Sequence, residues 1–150
     1  MTKHKENKGF TLIELLTVIM IIMALAGLIV GGAQQARKRA LIAKAQTAIA
    51  SLETAMSMYE VDYGGYPPTT NAAMVPAIKD DPSDSTWRGP YMMFKEKDLS
   101  GGQFIDPWGN AYVYTKPGLA AHGHGSYIDI YSYGPDKTND SGADDDINNW

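Results

Sequence analysis

Three groups of residues in this chain have the types and spacing to do chemistry. Near the C-terminus, Asp136, Asp140, Asp144, Asp145 and Asp146 put five carboxylates within eleven residues. Left alone, such charges repel and hold a loop open. A hard divalent cation removes the repulsion, and calcium takes roughly six to eight oxygens from carboxylates and backbone carbonyls. The spacing is not that of an EF-hand. Counting from Asp136, the sixth position is Ser141 rather than glycine, and no glutamate closes the loop. A calcium site and a solvated acidic tail both stay open at this level. The second group is a single carboxylate, Glu14, just inside an apolar run. A carboxylate there is costly without a partner cation, which marks it as functional. The third is His122 and His124 in the glycine-rich stretch 116–125. A metal pair is one reading; polar residues on an exposed hairpin tip is the other, and the composition favours it. The chain has no cysteine, so thiolate chemistry is excluded, and no Ser/His/Asp or metal-hydrolase motif is present.

The elements that carry these groups follow from the pattern. Residues 1–9 are short, polar and lysine-bearing (Lys3, Lys5, Lys8). Leu15 to Val30 is a largely apolar, uncharged run of sixteen residues, flanked by Lys8 before it and Arg37-Lys38-Arg39 after it. Sixteen is under the roughly 20 residues of a spanning helix. Extension from Phe10 to Ala33 reaches that length but brings Glu14 to the lipid. Three readings compete for this end. One is a secretory signal cut after Ala24-Leu25-Ala26, one is a retained anchor, and one is a signal cut before the apolar run. From Ala40 to Tyr63 the apolar residues become periodic. Ala45, Ile49, Leu52, Met56, Tyr59 and Tyr63 form one stripe of an amphipathic helix. No proline falls between residues 10 and 66, so both halves are expected in one helix of roughly 75–80 Å. Gly31-Gly32 softens it or allows close helix packing. Gly64-Gly65 ends it, and Pro67-Pro68 prevents its resumption.

After the helix, residues 66–105 read as a loop-rich middle with a short helix around Ala72-Ala73-Met74-Val75 and a charged, glycine-ended excursion over 95–102. Asp106-Pro107-Trp108-Gly109-Asn110 reads as a turn, with Trp108 as a core plug. Ala111 to Thr115 and Ser126 to Tyr133 alternate like strands. Charge divides along the chain. Residues 1–39 carry a balance of +4 and residues 40–150 one of −8. A basic end at the cytoplasmic face and an acidic domain outside fit that split. An acidic domain repels phosphate, which argues against a nucleic-acid partner. The fold class expected is α+β, a long N-terminal helix packed on a small antiparallel sheet.

Gly9-Phe10-Thr11-Leu12-Ile13-Glu14-Leu15 resembles the type IV prepilin and pseudopilin signature. The resemblance implies cleavage by a prepilin peptidase between Gly9 and Phe10, N-methylation of Phe10, and the type IV pilin-like fold. The apolar helix would stay in the mature protein. The new amine at Phe10 supplies the cation that Glu14 lacks. If identical segments pack side by side, Glu14 of one subunit can pair with the Phe10 amine of its neighbour and set the axial register.

A second resemblance runs along nearly the whole chain. Gly65-Tyr66-Pro67, Trp87-Arg88-Gly89-Pro90-Tyr91, Asp106-Pro107-Trp108-Gly109-Asn110, Tyr127-Ile128-Asp129-Ile130-Tyr131, Ser132-Tyr133-Gly134-Pro135-Asp136, Asp145-Asp146-Ile147 and Asn149-Trp150 resemble the major pseudopilins of type II secretion. That family implies one calcium ion in the loop 133–147. Its ligands here would be Asp136, Asp145 and Asp146, with carbonyls of Tyr133 and Thr138 and with Asp140 and Asp144 in reserve. The division implied is a leader 1–9, a transmembrane and filament-core half-helix 10–33, an amphipathic half 34–64 and a globular domain 65–150. The role implied is a non-enzymatic subunit of a periplasmic filament. It would wait in the inner membrane, and its partners would be its own copies, minor pseudopilins and an inner-membrane assembly platform. The rival within the superfamily is the major pilin of a surface type IV pilus; the rival outside it is a membrane-tethered enzyme.

Overall fold

The computed structural model describes residues 9–119, 122 and 127–150; within the first helix, the side chains of residues 28–31 fall outside the description. That helix, α1, runs over Leu12–Tyr63 without a break. Leu12 to Leu25 expose nearly all their large apolar side chains. The helix is long and apolar enough to cross a membrane. An apolar surface on all sides finds partners only in lipid or in other helices. The chain divides into two compact units, with the second comprising Arg39–Trp150.

In that second unit the expected stripe is the core face of α1. Ala45, Ile49, Leu52, Ala55 and Met56 are buried, and Tyr59 packs against them half-buried. Besides a 3-10 turn at Glu96–Asp98, three short elements follow the helix before the second sheet. They are α2 (Asn71–Lys79), β1 (Leu99–Ser100) and β2 (Gln103–Phe104), the two strands pairing antiparallel. The stretch 95–102, expected to be a charged, glycine-ended excursion, thus supplies the first strand and the turn of a tight hairpin, with Gly101 and Gly102 at positive φ. Asn71 ties α2 to this region. Its side-chain amide donates to the carbonyls of Phe104 and Tyr112, at 2.9 and 2.8 Å, and its oxygen accepts the Phe104 amide at 2.7 Å. A buried amide with every partner in place fixes one relative position of the elements it joins.

The second sheet has three strands in the order β3 (Val113–Thr115), β4 (Asp129–Ser132) and β5 (Ile147–Asn148), both pairs antiparallel. The strands are shorter than the alternation suggested, and β5 lies at the far end of the aspartate-rich segment. Tyr112, Tyr114, Ile128, Ile130 and Ile147 face the core beside α1 and α2. The turn 106–110 is locked to this sheet by its aspartate. One oxygen of Asp106 accepts the amides of Trp108 and Asn110, each at 2.9 Å, and the other accepts the Ser132 hydroxyl at 2.7 Å. Trp108 packs half-buried against the core, as expected of it. The architecture is the α+β arrangement expected from the sequence.

Candidate metal centre and subunit-contact residues

The acidic segment is the connection between two adjacent strands. Register pairs Tyr131 with Asn148 and Ser132 with Ile147, so residues 133–146 leave the sheet and return to it side by side. Gly134 begins the excursion with φ of +67°, and a Cβ at that position would stand 2.1 Å from the carbonyl oxygen of Asp145. Only glycine fits, which accounts for the Gly134-Pro135-Asp136 pattern. Lys137, Ser141 and Asp144 also take positive φ. Side chains hold these turns. Asp136 accepts the Thr138 amide at 2.7 Å, and Asn139 accepts the Ser141 amide at 3.0 Å.

This folding brings Asp136, Asp140 and Asp145 together, with one carboxylate oxygen from each lying within 4.8 Å of the others. Asp140 holds its proton more tightly than an ordinary aspartate. Desolvation is the first cause, and the negative charges of Asp136, Asp146, Asp144 and Asp145 add to it. Asp145 and Asp146 each keep one buried oxygen with no hydrogen-bond partner. Buried unpartnered carboxylate oxygens are rare and costly. Three clustered carboxylates and two orphaned oxygens, with no sulfur or nitrogen ligand, are the donor set of a hard cation.

The expected ligands divide in the structure. Asp136 and Asp145 enter the cluster, and Asp140, expected in reserve, joins them. Asp146 stands apart. Its Oδ2 accepts the amides of Asp140 at 3.0 Å and Gly142 at 2.7 Å, which leaves only the buried Oδ1 for a cation. Asp144 is exposed and outside the cluster. Tyr133 is half-buried and Thr138 exposed, both on the same loop.

At the other end, Gly9 and Phe10 are exposed. Glu14 is not idle. Its Oε2 accepts the Thr11 amide at 2.9 Å and the Thr11 hydroxyl at 2.7 Å, while the Thr11 hydroxyl receives the Glu14 amide at 3.3 Å. This is a capping box at the start of α1. Its signal, threonine followed three residues later by glutamate, stood in the sequence beside the processing motif.

His122 is not a solvated tip residue but a partly buried one with partners in the fold; His124 lies outside the described residues. Buried Asp129 accepts the Leu119 amide at 2.7 Å and lies 3.0 Å from Nδ1 of His122. The imidazole stacks flat on Trp150 with centroids 3.9 Å apart. A buried carboxylate on β4 recruits the histidine as its partner, and the pair fastens the C-terminus to the sheet.

Comparison with known proteins shows the family. The family model "Type II secretion system (T2SS), protein G" matches residues 33–150, and the model "Prokaryotic N-terminal methylation motif" matches residues 4–30. The chain is 36% identical to the type II secretion system core protein G of Escherichia coli K12, across 97% of this chain and 92% of that one. It is 32% identical to the corresponding protein of Pseudomonas aeruginosa, across 99% of this chain and 98% of the relative. Its fold resembles the crystal structure of the major pseudopilin from the type 2 secretion system of enterohaemorrhagic E. coli. That match has a TM-score of 0.50 and 27% identity and covers 77% of this chain and 87% of that one. With a match that runs from the methylation motif through the acidic loop to Trp150, the chain belongs to the type II secretion system protein G family.

Proposed function

We infer that this protein is the major pseudopilin of a type II secretion system, the repeating subunit of a periplasmic filament that drives protein secretion across the outer membrane. The observation that carries this reading is the joining, in one chain, of a methylation-type N-terminus on an exposed apolar half-helix to the globular unit of protein G. The subunit is held in the inner membrane by the first half of α1. A prepilin peptidase cuts after Gly9 and Phe10 is methylated. An inner-membrane assembly platform extracts the subunits, minor pseudopilins join them, and the exposed apolar surface becomes the filament core. Glu14 then pairs with the Phe10 amine of a neighbour and sets the register.

Calcium is the cation proposed for the acidic loop. Asp136, Asp140 and Asp145 would hold it, with the free oxygen of Asp146 and the carbonyls of Tyr133 and Thr138 as further ligands. Bound there, it cancels the repulsion among the carboxylates and stabilises the folded loop by mass action. The role is structural rather than enzymatic. The nearest thing to a catalytic dyad, Asp129 with His122, is closed by the Leu119 amide and the Trp150 ring.

Sequencing the N-terminus of the mature protein tests the reading. A start at methylated Phe10 is expected, together with filaments in the periplasm when the protein is made with its secretion machinery. A start at Gly27, after the Ala24-Leu25-Ala26 site, overturns it. Filaments that extend from the cell surface at native expression would favour the surface pilus instead.

A further inference from the structure

A groove of about 390 Å³ opens where the end of α1 meets the end of α2. Its floor is aromatic and apolar. Tyr59 and Tyr63 stack with centroids 4.4 Å apart, and Pro76, Ala77 and Pro82 complete the lining. Its rim is acidic, with Asp80, Asp81 and Asp84. Asp80 meets Lys79 at 3.2 Å, but Asp81 and Asp84 have no cation among the described residues. Their side chains accept the Ser83 and Thr86 amides. Nearby Asp62, by contrast, is satisfied within the chain by the Tyr91 hydroxyl at 2.6 Å and by Arg88 at 3.9 Å.

The chain also carries three cations with no use for them. Arg37, Lys38 and Arg39 are exposed and make no ion pair among the described residues. The nearest carboxylates along α1 are Glu14 and Glu53, far beyond the three- or four-residue spacing at which helix side chains meet. Nor does membrane orientation call for them. Under the proposed function the cytoplasmic basic end is Lys3, Lys5 and Lys8 alone, and Arg37, Lys38 and Arg39 stand on the periplasmic side, where lysine and arginine are normally depleted.

We propose that the acidic tyrosine groove receives the Arg37-Lys38-Arg39 segment of a second copy of the chain. Guanidinium groups suit both parts of the groove. They pair with carboxylates through two parallel hydrogen bonds, and they stack on tyrosine faces. The same copy that offers a groove at one level offers its own cations at another, so the contact is head-to-tail and repeats without closing. Arg39 precedes Tyr59 and Tyr63 by 20 and 24 residues on one helix, an axial offset of about 30–36 Å at 1.5 Å per residue. That offset is long, distinct from the short one set by Glu14 and Phe10. The contact rests on the filament reading and adds to it a second, longer-range tie between copies.

The absence of native cysteine makes a direct test available. The full chain carrying Arg39→Cys with Asp81→Cys is produced with its secretion machinery, oxidised in place and run without reductant. Each copy then presents both halves of the contact, so a ladder of trimers and larger species is expected; either single variant gives dimers at most. In parallel, reversing Arg37, Lys38 and Arg39 to Glu lowers filament yield several-fold, and adding Asp81→Lys and Asp84→Lys restores most of it. Filaments that assemble with no ladder overturn the proposal. So does a loss of yield that the second reversal fails to rescue, which would assign the cations to anionic lipid headgroups. A mature start at Gly27 or a wild-type protein without filaments sinks the proposed function and this contact together. A start at Phe10 with filaments and no ladder sinks the contact alone.

Discussion

Glu14 closes on Thr11, its Oε2 accepting the backbone amide at 2.9 Å and the side-chain hydroxyl at 2.7 Å. The carboxylate thus has donors within its own chain before any neighbour arrives. That satisfies the carboxylate within its own chain, and it separates the cap from the proposed register role. Capping needs only an acceptor, whereas pairing with a neighbour's amine needs the negative charge.

Glu14→Gln distinguishes them. Glutamine can still accept from Thr11, so cleavage after Gly9 and membrane insertion are expected at wild-type levels. Filament yield is expected to fall several-fold, and Glu14→Ala to fall at least as far. Electron microscopy and a shearing assay give the yield. Full assembly by Glu14→Gln would show that the cap is sufficient and would refute the charge pairing.

The clustered carboxylates of Asp136, Asp140 and Asp145 make a second outcome measurable. Chelation of divalent cations is expected to lower the melting temperature of the purified protein, and added calcium to restore it. A ligand at a hundred times its dissociation constant stabilises by about 2.7 kcal/mol. Asp136→Ala should abolish the dependence on calcium. Asp144→Ala, outside the cluster, should leave it intact. An unchanged melting curve in chelator would make the segment a solvated loop.

How much of this was legible beforehand differs by element. The stripe Ala45, Ile49, Leu52 and Met56 was plain because a helix repeats every 3.6 residues and its neighbours in sequence set the pattern. The β1–β2 hairpin was missed because its strands are two residues each, too short for alternation to register. That Asp140 joins Asp136 and Asp145 was also invisible. Five aspartates in a row of turns look alike in sequence. Only the backbone path, with positive φ at Lys137, Ser141 and Asp144, decides which carboxylates come within reach of one another. His122 misled for a related reason, since its partner Asp129 lies on another element.

Gly134 gives a test of loop geometry apart from metal binding. An alanine there meets the cost of left-handed backbone, roughly 1–2 kcal/mol, and a carbonyl oxygen at 2.1 Å besides. Gly134→Ala is expected to destabilise by at least about 2 kcal/mol and to weaken calcium binding. Gly101 supplies the control. Its φ is +56° but a Cβ there meets nothing within 4 Å, so Gly101→Ala should cost only the backbone share. Equal losses from the two, read by chemical denaturation, would mean that the Asp145 carbonyl moves aside freely.

Lys44 on α1 and Asp98 beside β1 form the ion pair that joins the helix to the first hairpin, at 2.7 Å. The hydrogen bond from Lys44 is the main cause that holds the Asp98 carboxyl below its ordinary value. The positive charge of Lys44, with that of Lys97 and Lys95, adds to it, and desolvation opposes it. A folded-state pKa below the unfolded one means that the contribution is complete above the unfolded value of 3.8. It is then lost as pH falls through the lower folded value. Because Lys44 is half-exposed, the pair is worth no more than about 1 kcal/mol. Asp98→Asn is therefore expected to be less stable than the wild type near neutral pH by up to that amount. The two stability curves should converge as pH falls below the usual carboxylate range. A difference that persists unchanged at low pH would assign the effect to packing of the side chain and not to its charge.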